Sequence, residues 1–75
     1  MKKILCQIIT IGDEILFGHI LDSNAQWLSF ELDKIGVITK KRVTIGDNKI
    51  DILKTLKNSI NKNDIIIITG GLGPT

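Results

Sequence analysis

The alternation of apolar and polar positions along the chain predicts three strands. Ile4–Ile11 is apolar apart from two residues, and residues 65–68 are four consecutive isoleucines. Runs without alternation are typical of strands buried on both faces, so we expect both segments inside a parallel sheet, the isoleucines forming a central strand. In Val37–Ile45, successive residues would point to opposite faces, residues 37, 39, 41, 43 and 45 to one and residues 38, 40, 42 and 44 to the other. The polar face and the cluster Lys-Lys-Arg at 40–42 favour a solvated strand at the sheet edge.

Two segments between these strands have helical periodicity. The first begins near Ser23, which has the spacing of a capping box with Gln26, and ends before Gly36, which suits a left-handed C-terminal cap. Its apolar stripe consists of Ala25, Leu28, Leu32 and Ile35. The second helix is expected over about residues 49–61, with a stripe of Ile50, Leu53, Leu56 and Ile60.

The order of elements is therefore βαβαβ. Strands alternating with helices predict an α/β fold: a three-layer α/β/α arrangement around a mostly parallel sheet, with right-handed crossovers. Residues 15–21 are apolar but contain a glycine, and we expect an extended loop or short strand there. Ligands bind at the carboxyl ends of such strands. The turns that begin at Gly12, Gly46 and Gly70 should consequently meet at one edge of the sheet.

Size and composition narrow the class of protein. The chain has 75 residues, enough for one domain at most, and a formal net charge of +2. Basic residues are dispersed and aromatic residues make up only 4%, so we expect no nucleic-acid partner. No segment reaches the roughly 20 apolar residues of a membrane span or resembles a secretory signal, so no membrane association is expected. A single cysteine, Cys6, cannot form an internal disulfide and fits a cytoplasmic location.

A glycine-rich loop follows the isoleucine strand. It lacks the lysine of a P-loop and the glycine spacing of a dinucleotide-binding loop. Its glycines allow a ligand to approach the backbone, and its proline suits the first turn of a helix. Together they favour a phosphate site formed by backbone N–H groups. The alternative is a tight turn without a ligand. The candidate phosphate- or nucleotide-binding residues in this loop are Thr69, Gly70, Gly71, Gly73, Pro74 and Thr75.

Carboxylates follow the other two strands. Asp13 and Glu14 have the chemistry to hold a hydrated divalent cation or orient a ribose, the alternative being a polar turn in which Asp13 bonds its own backbone. Asp47 is either functional or a helix N-cap, and Asn24 is either a ligand contact or part of a helix cap. His19 has no partner in metal-ligand spacing, so it is interpreted as a loop residue. We expect no haem, flavin or zinc site.

The three turns together resemble those of a known family. Residues 9–28, residues 43–48 and residues 69–75 are similar to the N-terminus of the competence/damage-inducible CinA family, within the wider molybdopterin-binding domain family. The resemblance implies that Gly12, Asp13, Glu14, Asp47 and residues 70–75 line one pocket for a phosphorylated, nucleotide-like ligand. It also implies a metal-dependent pyrophosphatase acting on ADP-ribose-like substrates, with Asp13, Glu14 and Asp47 as catalytic candidates.

The family domain is about twice as long as this chain. We therefore expect residues 1–75 to be a partial domain that is inactive by itself, and the nicotinamide mononucleotide deamidase domain of many relatives is not encoded in it. Two alternatives stay open. The first is a non-catalytic nucleotide-binding or interaction module that forms a homo-oligomer through an exposed sheet edge. The second is a molybdopterin-handling protein.

Overall fold

A computed structural model describes residues 3–70 of the chain. The elements follow the order β1 (Ile4–Ile11), α1 (Asp13–Leu16), α2 (Ser23–Lys34), β2 (Val37–Ile45), α3 (Lys49–Ser59) and β3 (Ile65–Gly70). All three strands lie where the hydrophobic pattern places them, and both long helices are present. The predicted loop or short strand at residues 15–21 is wrong in part, because its first two residues belong to the one-turn helix α1.

The three strands form a parallel sheet in the order β2-β1-β3. The central strand is therefore β1, and its residues from Cys6 to Ile11 are all buried. The edge position predicted for β2 is confirmed. The central position predicted for β3 is wrong within the described range, because β3 pairs there with β1 alone and leaves Ile65 and Ile68 37% and 47% exposed. Hydrophobic content indicates where burial is favourable but does not determine how many neighbours a strand has.

Helices α2 and α3 cover opposite faces of the sheet, as the three-layer prediction requires. On one face, Cys6 and Ile8 of β1 form the hydrophobic core with Ala25 of α2 and Val37 of β2, and Leu28, Leu32 and Ile67 pack against this core. The predicted stripe of α2 is thus confirmed except for Ile35, which lies beyond the last helical residue and is 74% exposed. Gly36 follows with a positive φ of 86°, as predicted for the C-terminal cap.

The second face of the sheet is more polar, and the stripe predicted for α3 is wrong there except for Leu56, which is half-buried. Ile50, Leu53 and Ile60 are exposed, whereas Ser59 is fully buried. The Ser59 hydroxyl donates to the carbonyl oxygens of Thr55 and Leu56, at 2.6 and 3.2 Å, so the helix satisfies this buried group internally. A serine of this kind packs against a sheet at little cost, and apolar counting cannot detect it.

The N-termini of both long helices are capped one residue away from the predicted positions. Asp22 caps α2, its Oδ1 accepting from the Ala25 N–H at 3.1 Å, so the capping box at Ser23 is not formed. Asn48 caps α3, its Oδ1 accepting from the N–H groups of Ile50 and Asp51. The alternative role of Asp47 as an N-cap is therefore wrong.

Strand β2 contains an irregularity that the sequence did not predict. Cys6 pairs with Thr39, but the next residue of β1, Gln7, pairs with Lys41, so Lys40 is an extra residue that forms a β-bulge. The regular alternation expected along β2 is wrong beyond this point. Lys41 now shares a face with Gln7, while Arg42 and Thr44 share the α2 face with their partners Ile8 and Thr10.

The outer surface of α2 carries large apolar side chains. Trp27 and Phe30 are 60% and 63% exposed. Among residues 3–70, no helix is both long enough and apolar enough to cross a membrane.

Candidate functional site

The carboxyl ends of the three strands lie side by side. Ile11, the last residue of β1, pairs with Ile45 of β2 and with Gly70 of β3. The turns after β1 and β2 are joined directly, since the Gly12 N–H donates to the Ile45 carbonyl oxygen at 2.9 Å. The first two of the three turns predicted to meet at one edge of the sheet therefore do so, and Gly70, where the third begins, lies beside them. We call this edge the carboxyl rim.

Asp13 links the first turn to the second. Its Oδ1 accepts a hydrogen bond from the backbone N–H of Asp47 at 3.1 Å, although the two residues are 34 positions apart in sequence. The polar-turn alternative, in which Asp13 caps its own backbone, is wrong: α1 has Gly12 at its N-cap position and no side-chain cap. The Asp47 side chain is exposed and makes no hydrogen bond to the rest of the described chain. The Asp13 carboxylate thus lies against the backbone of the residue that carries the second carboxylate, and both residues are exposed to solvent.

Close approach at the rim requires glycine at two positions. A Cβ at Gly46 would lie 2.7 Å from Asp13 Oδ1 and 3.3 Å from Leu16 Cδ2. A Cβ at Gly70, where φ is +76°, would overlap the Ile11 carbonyl oxygen. Gly46 is itself buried, so the missing side chains at these positions allow the turns to approach each other closely.

The other predicted site residues are exposed, half-buried or outside the described residues. Glu14 is exposed in α1, and its Oε1 lies over Gly12, where a Cβ would approach it to 3.4 Å. Asn24 is exposed in the first turn of α2 and makes no side-chain hydrogen bond within residues 3–70. Thr69 is half-buried on the α2 face of β3. Gly71, Gly73, Pro74 and Thr75 lie outside the described residues.

A hydrogen-bonded chain beneath the rim was not identified from the sequence. The Thr10 hydroxyl of β1 donates to Asp22 Oδ2 at 2.6 Å, and the Thr69 hydroxyl lies 3.4 Å from the Thr10 hydroxyl. Asp22 therefore caps α2 with one carboxylate oxygen and ties that helix to the sheet with the other. This chain fixes the N-terminus of α2, with Asn24, at the carboxyl end of the sheet. The available signal was the single hydroxyl residue near the end of an otherwise apolar strand.

Metal-binding chemistry at the rim is limited to oxygen donors. The part of the chain that the structure describes contains no group of three His, Cys, Asp or Glu side chains arranged to hold a metal ion. Asp13, Glu14 and Asp47 are hard oxygen donors, which suit a hydrated Mg²⁺ that takes one or two protein carboxylates and completes its shell with water and phosphate. His19 is exposed in the turn after α1. Cys6 is fully buried in the core, where desolvation raises the pKa of its thiol, so it is not a nucleophile.

A family model described as "Probable molybdopterin binding domain" matches residues 7–75. The chain therefore belongs to the probable molybdopterin-binding domain family, an α/β family consistent with the parallel sheet and its glycine turns. Within it, the predicted similarity to CinA is confirmed. The chain is 50% identical over 72 residues to a CinA-like protein of Cytophaga hutchinsonii and 51% identical over 75 residues to one of Thermotoga sp..

The chain spans only a small part of these relatives. The alignments cover 96% and 100% of this chain but 17% and 18% of the two CinA-like proteins. A putative competence-damage inducible protein of Natranaerobius thermophilus is 49% identical over 69 residues, again 17% of its length. The crystal structure of CinA from Thermoplasma acidophilum, described as having unknown function, superposes with a TM-score of 0.89 at 27% identity, covering 97% of this chain and 43% of that one.

Proposed function

We propose that the carboxyl rim binds the diphosphate of a nucleotide-like ligand. The observation that carries the proposal is the junction of Asp13 with the Asp47 N–H, which holds two glycine turns together beside Gly70. The Gly12 and Asp47 N–H groups are already bonded within the rim, so in this proposal the backbone N–H groups of the glycine-rich loop hold the phosphate oxygens. In this proposal Gly12, Asn24, Thr69 and residues 70, 71 and 73–75 are the ligand-binding set.

The reaction we propose is hydrolysis of an ADP-ribose-like diphosphate. Water attacks one phosphorus atom, the bridging P–O bond breaks, and two phosphate monoesters are released. Asp47 suits the role of general base that accepts the proton of the attacking water, because its carboxylate is exposed and free of capping. Asp13 and Glu14 would hold a divalent cation, which neutralises phosphate charge when bound. Asp13 also positions the backbone of Asp47.

The test compares Asp47→Asn with Asp51→Asn. Both residues are exposed acids near the start of α3, but only Asp47 lies on the rim. We expect calorimetry to show ADP-ribose binding with Mg²⁺, and we expect Asp47→Asn to lower any hydrolysis rate by about 100-fold, the scale of general-base catalysis. Asp51→Asn should change neither quantity. Absence of ADP-ribose binding would overturn the ligand proposal. Binding without turnover is expected if residues 1–75 are a partial domain, and turnover by this chain would contradict that expectation.

A phosphorylated pterin is the second candidate ligand. The description of the matching family favours it, and a phosphate on a pterin would use the same glycine turns. A pterin absorbs in the near ultraviolet, so co-purification is detectable directly in the absorption spectrum. Retention of a pterin that ADP-ribose does not displace would replace the nucleotide proposal.

A further inference from the structure

A polar cavity lies on the opposite side of the sheet from α2, away from the carboxyl rim. It occupies about 200 Å³ between β2, α3 and the turn that precedes β3. Its lining includes Gln7, Lys40, Lys41, Ser59, Lys62 and Asn63, and no acidic residue. We call it the α3-face cavity.

The floor of the α3-face cavity contains carboxamides with unused hydrogen-bonding capacity. Gln7 lies in the central strand and is only 5% exposed. Its Oε1 accepts from Asn63 Nδ2 at 3.0 Å, and the same Nδ2 donates to the Ser59 carbonyl oxygen at 3.0 Å. Within residues 3–70, Asn63 Oδ1 is buried without a donor, and Gln7 Nε2 donates to no protein atom. The floor therefore has one free acceptor beside a free donor, and a buried acceptor without a donor is unfavourable.

Positive charge surrounds this floor because of the β-bulge. Lys41 shares a face with Gln7, and the extra residue Lys40 also lines the cavity, so two consecutive lysines reach the same side of the sheet. Lys62 approaches from the turn before β3. The ion pair found in the described part of the chain joins Lys34 to Glu31 on α2, and none of the three cavity lysines has a carboxylate partner there.

We propose that the α3-face cavity binds a small phosphate group that carries a proton, as inorganic phosphate or a compact phosphate monoester. Ammonium groups and Gln7 Nε2 donate to its oxygens, and its P–OH donates to Asn63 Oδ1. The volume of about 200 Å³ is larger than one phosphate ion, so it also leaves room for the small organic group of a compact phosphate monoester. Sulfate at neutral pH has the same shape but no proton to donate, so the free acceptor distinguishes the two anions.

The test uses inorganic phosphate as the probe and NMR of the ¹⁵N-labelled chain as the readout. We expect the side-chain carboxamide signals of Gln7 and Asn63 to shift and saturate with phosphate. Sulfate at the same ionic strength should bind about tenfold more weakly, the effect of losing one hydrogen bond of about 1.4 kcal/mol. Equal binding of the two anions, or no shift of the two carboxamides, would overturn the proposal.

Lysine variants separate the site from general charge attraction. Lys62→Gln should weaken phosphate binding about tenfold and Lys62→Arg should retain it, since the first removes a charge-assisted hydrogen bond and the second keeps one. Lys57→Gln, on the exposed surface of α3 and outside the cavity lining, is the matched control and should have no more than about a twofold effect. Equal weakening by Lys62→Gln and Lys57→Gln would show nonspecific attraction and overturn the proposal.

Phosphate binding at the carboxyl rim would instead shift the amide signals of Gly12 and Gly46, so binding at the two sites is measured independently.

Discussion

The Asp13 carboxylate accepts a hydrogen bond from the Asp47 backbone N–H at 3.1 Å, across two turns that follow different strands. One acidic side chain thereby fixes the position of the residue that carries another. The arrangement depends on Gly46, which lies between them and has no side chain to separate the turns.

Gly46→Ala should break the junction between the two turns. The new methyl group would lie 2.7 Å from Asp13 Oδ1, so the carboxylate must move and the Asp47 N–H loses its acceptor. We expect a loss of about 1–3 kcal/mol in the free energy of unfolding, measured by urea denaturation, and faster hydrogen exchange at the Asp47 amide.

Gly18→Ala is the control for this substitution. Gly18 has a positive φ of 83°, but a methyl group added there would meet no other atom within 4 Å, so the cost of the substitution is confined to backbone strain. In this variant the Asp47 amide should exchange as it does in the unsubstituted chain. An equal acceleration in both variants would show that global stability, and not the junction, protects this amide.

Asn48→Ala and Asp47→Ala should differ in their effect on stability. Asn48 accepts from two N–H groups at the start of α3, so its loss should cost about 1 kcal/mol by urea denaturation. Asp47→Ala removes an exposed side chain without such bonds and should change stability by less than about 0.5 kcal/mol. The opposite order would restore the cap role for Asp47 and remove it from the rim chemistry.

Thr10→Val should detach the N-terminus of α2 from the sheet. The substitution keeps the shape of the side chain but removes the 2.6 Å bond to the Asp22 carboxylate, a charged acceptor. We expect a loss of about 1.5–3 kcal/mol in the free energy of unfolding. Thr44→Val is the matched control on the neighbouring strand, because the Thr44 hydroxyl has no hydrogen bond within the described residues and should be near neutral. Equal losses would exclude a specific role for the Thr10 bond.

Stability should fall as pH rises above about 8.5, the ordinary pKa of a thiol. Burial of Cys6 raises its pKa in the folded chain, so above that pH the unfolded chain loses a proton that the folded chain retains, which favours unfolding. The slope ends once the pH passes the folded-state pKa. Thermal denaturation at a series of pH values from about 7.5 to about 9.5, spanning the ordinary thiol pKa, measures the slope. Cys6→Ala should remove this component while other titrations remain, and a slope unchanged in Cys6→Ala would contradict the assignment.

The sequence predicted those parts of the fold that have a regular hydrophobic pattern. Three strands, two long helices and their parallel connection follow from apolar runs and helical spacing, and residues 4–11 of the central strand match the structure from end to end. The caps were misplaced by one residue because Asp22, Ser23 and Asn24 all have capping side chains, and only tertiary contact with Thr10 selects Asp22. The α3 stripe failed because a self-bonded serine, Ser59, replaces a hydrophobic residue at the sheet.

The candidate site was predictable to the extent that topology determines it. Parallel strands bring their carboxyl ends together, so the proximity of Asp13 and Asp47 followed from the order of elements. The direct hydrogen bond between them depends on side-chain rotamers and on the register of β2 against β1. The contact between the Thr10 and Thr69 hydroxyls depends in the same way on the register of β3 against β1. Neither quantity is encoded in residue spacing.

The bulge at Lys40 also matches the lengths of two unequal strands. β2 has nine residues and its partner β1 has eight, yet Ile45 and Ile11 end level because the additional residue is absorbed midway. Each strand residue advances the chain by about 3.3 Å. Without the bulge, a β2 of the same length would extend one residue further, and its turn would move past the Asp13 carboxylate. That displacement exceeds the 3.1 Å that now separates Asp13 Oδ1 from the Asp47 nitrogen, so the hydrogen bond would be lost. An irregularity in the middle of the edge strand thus sets the alignment of acidic groups at its far end.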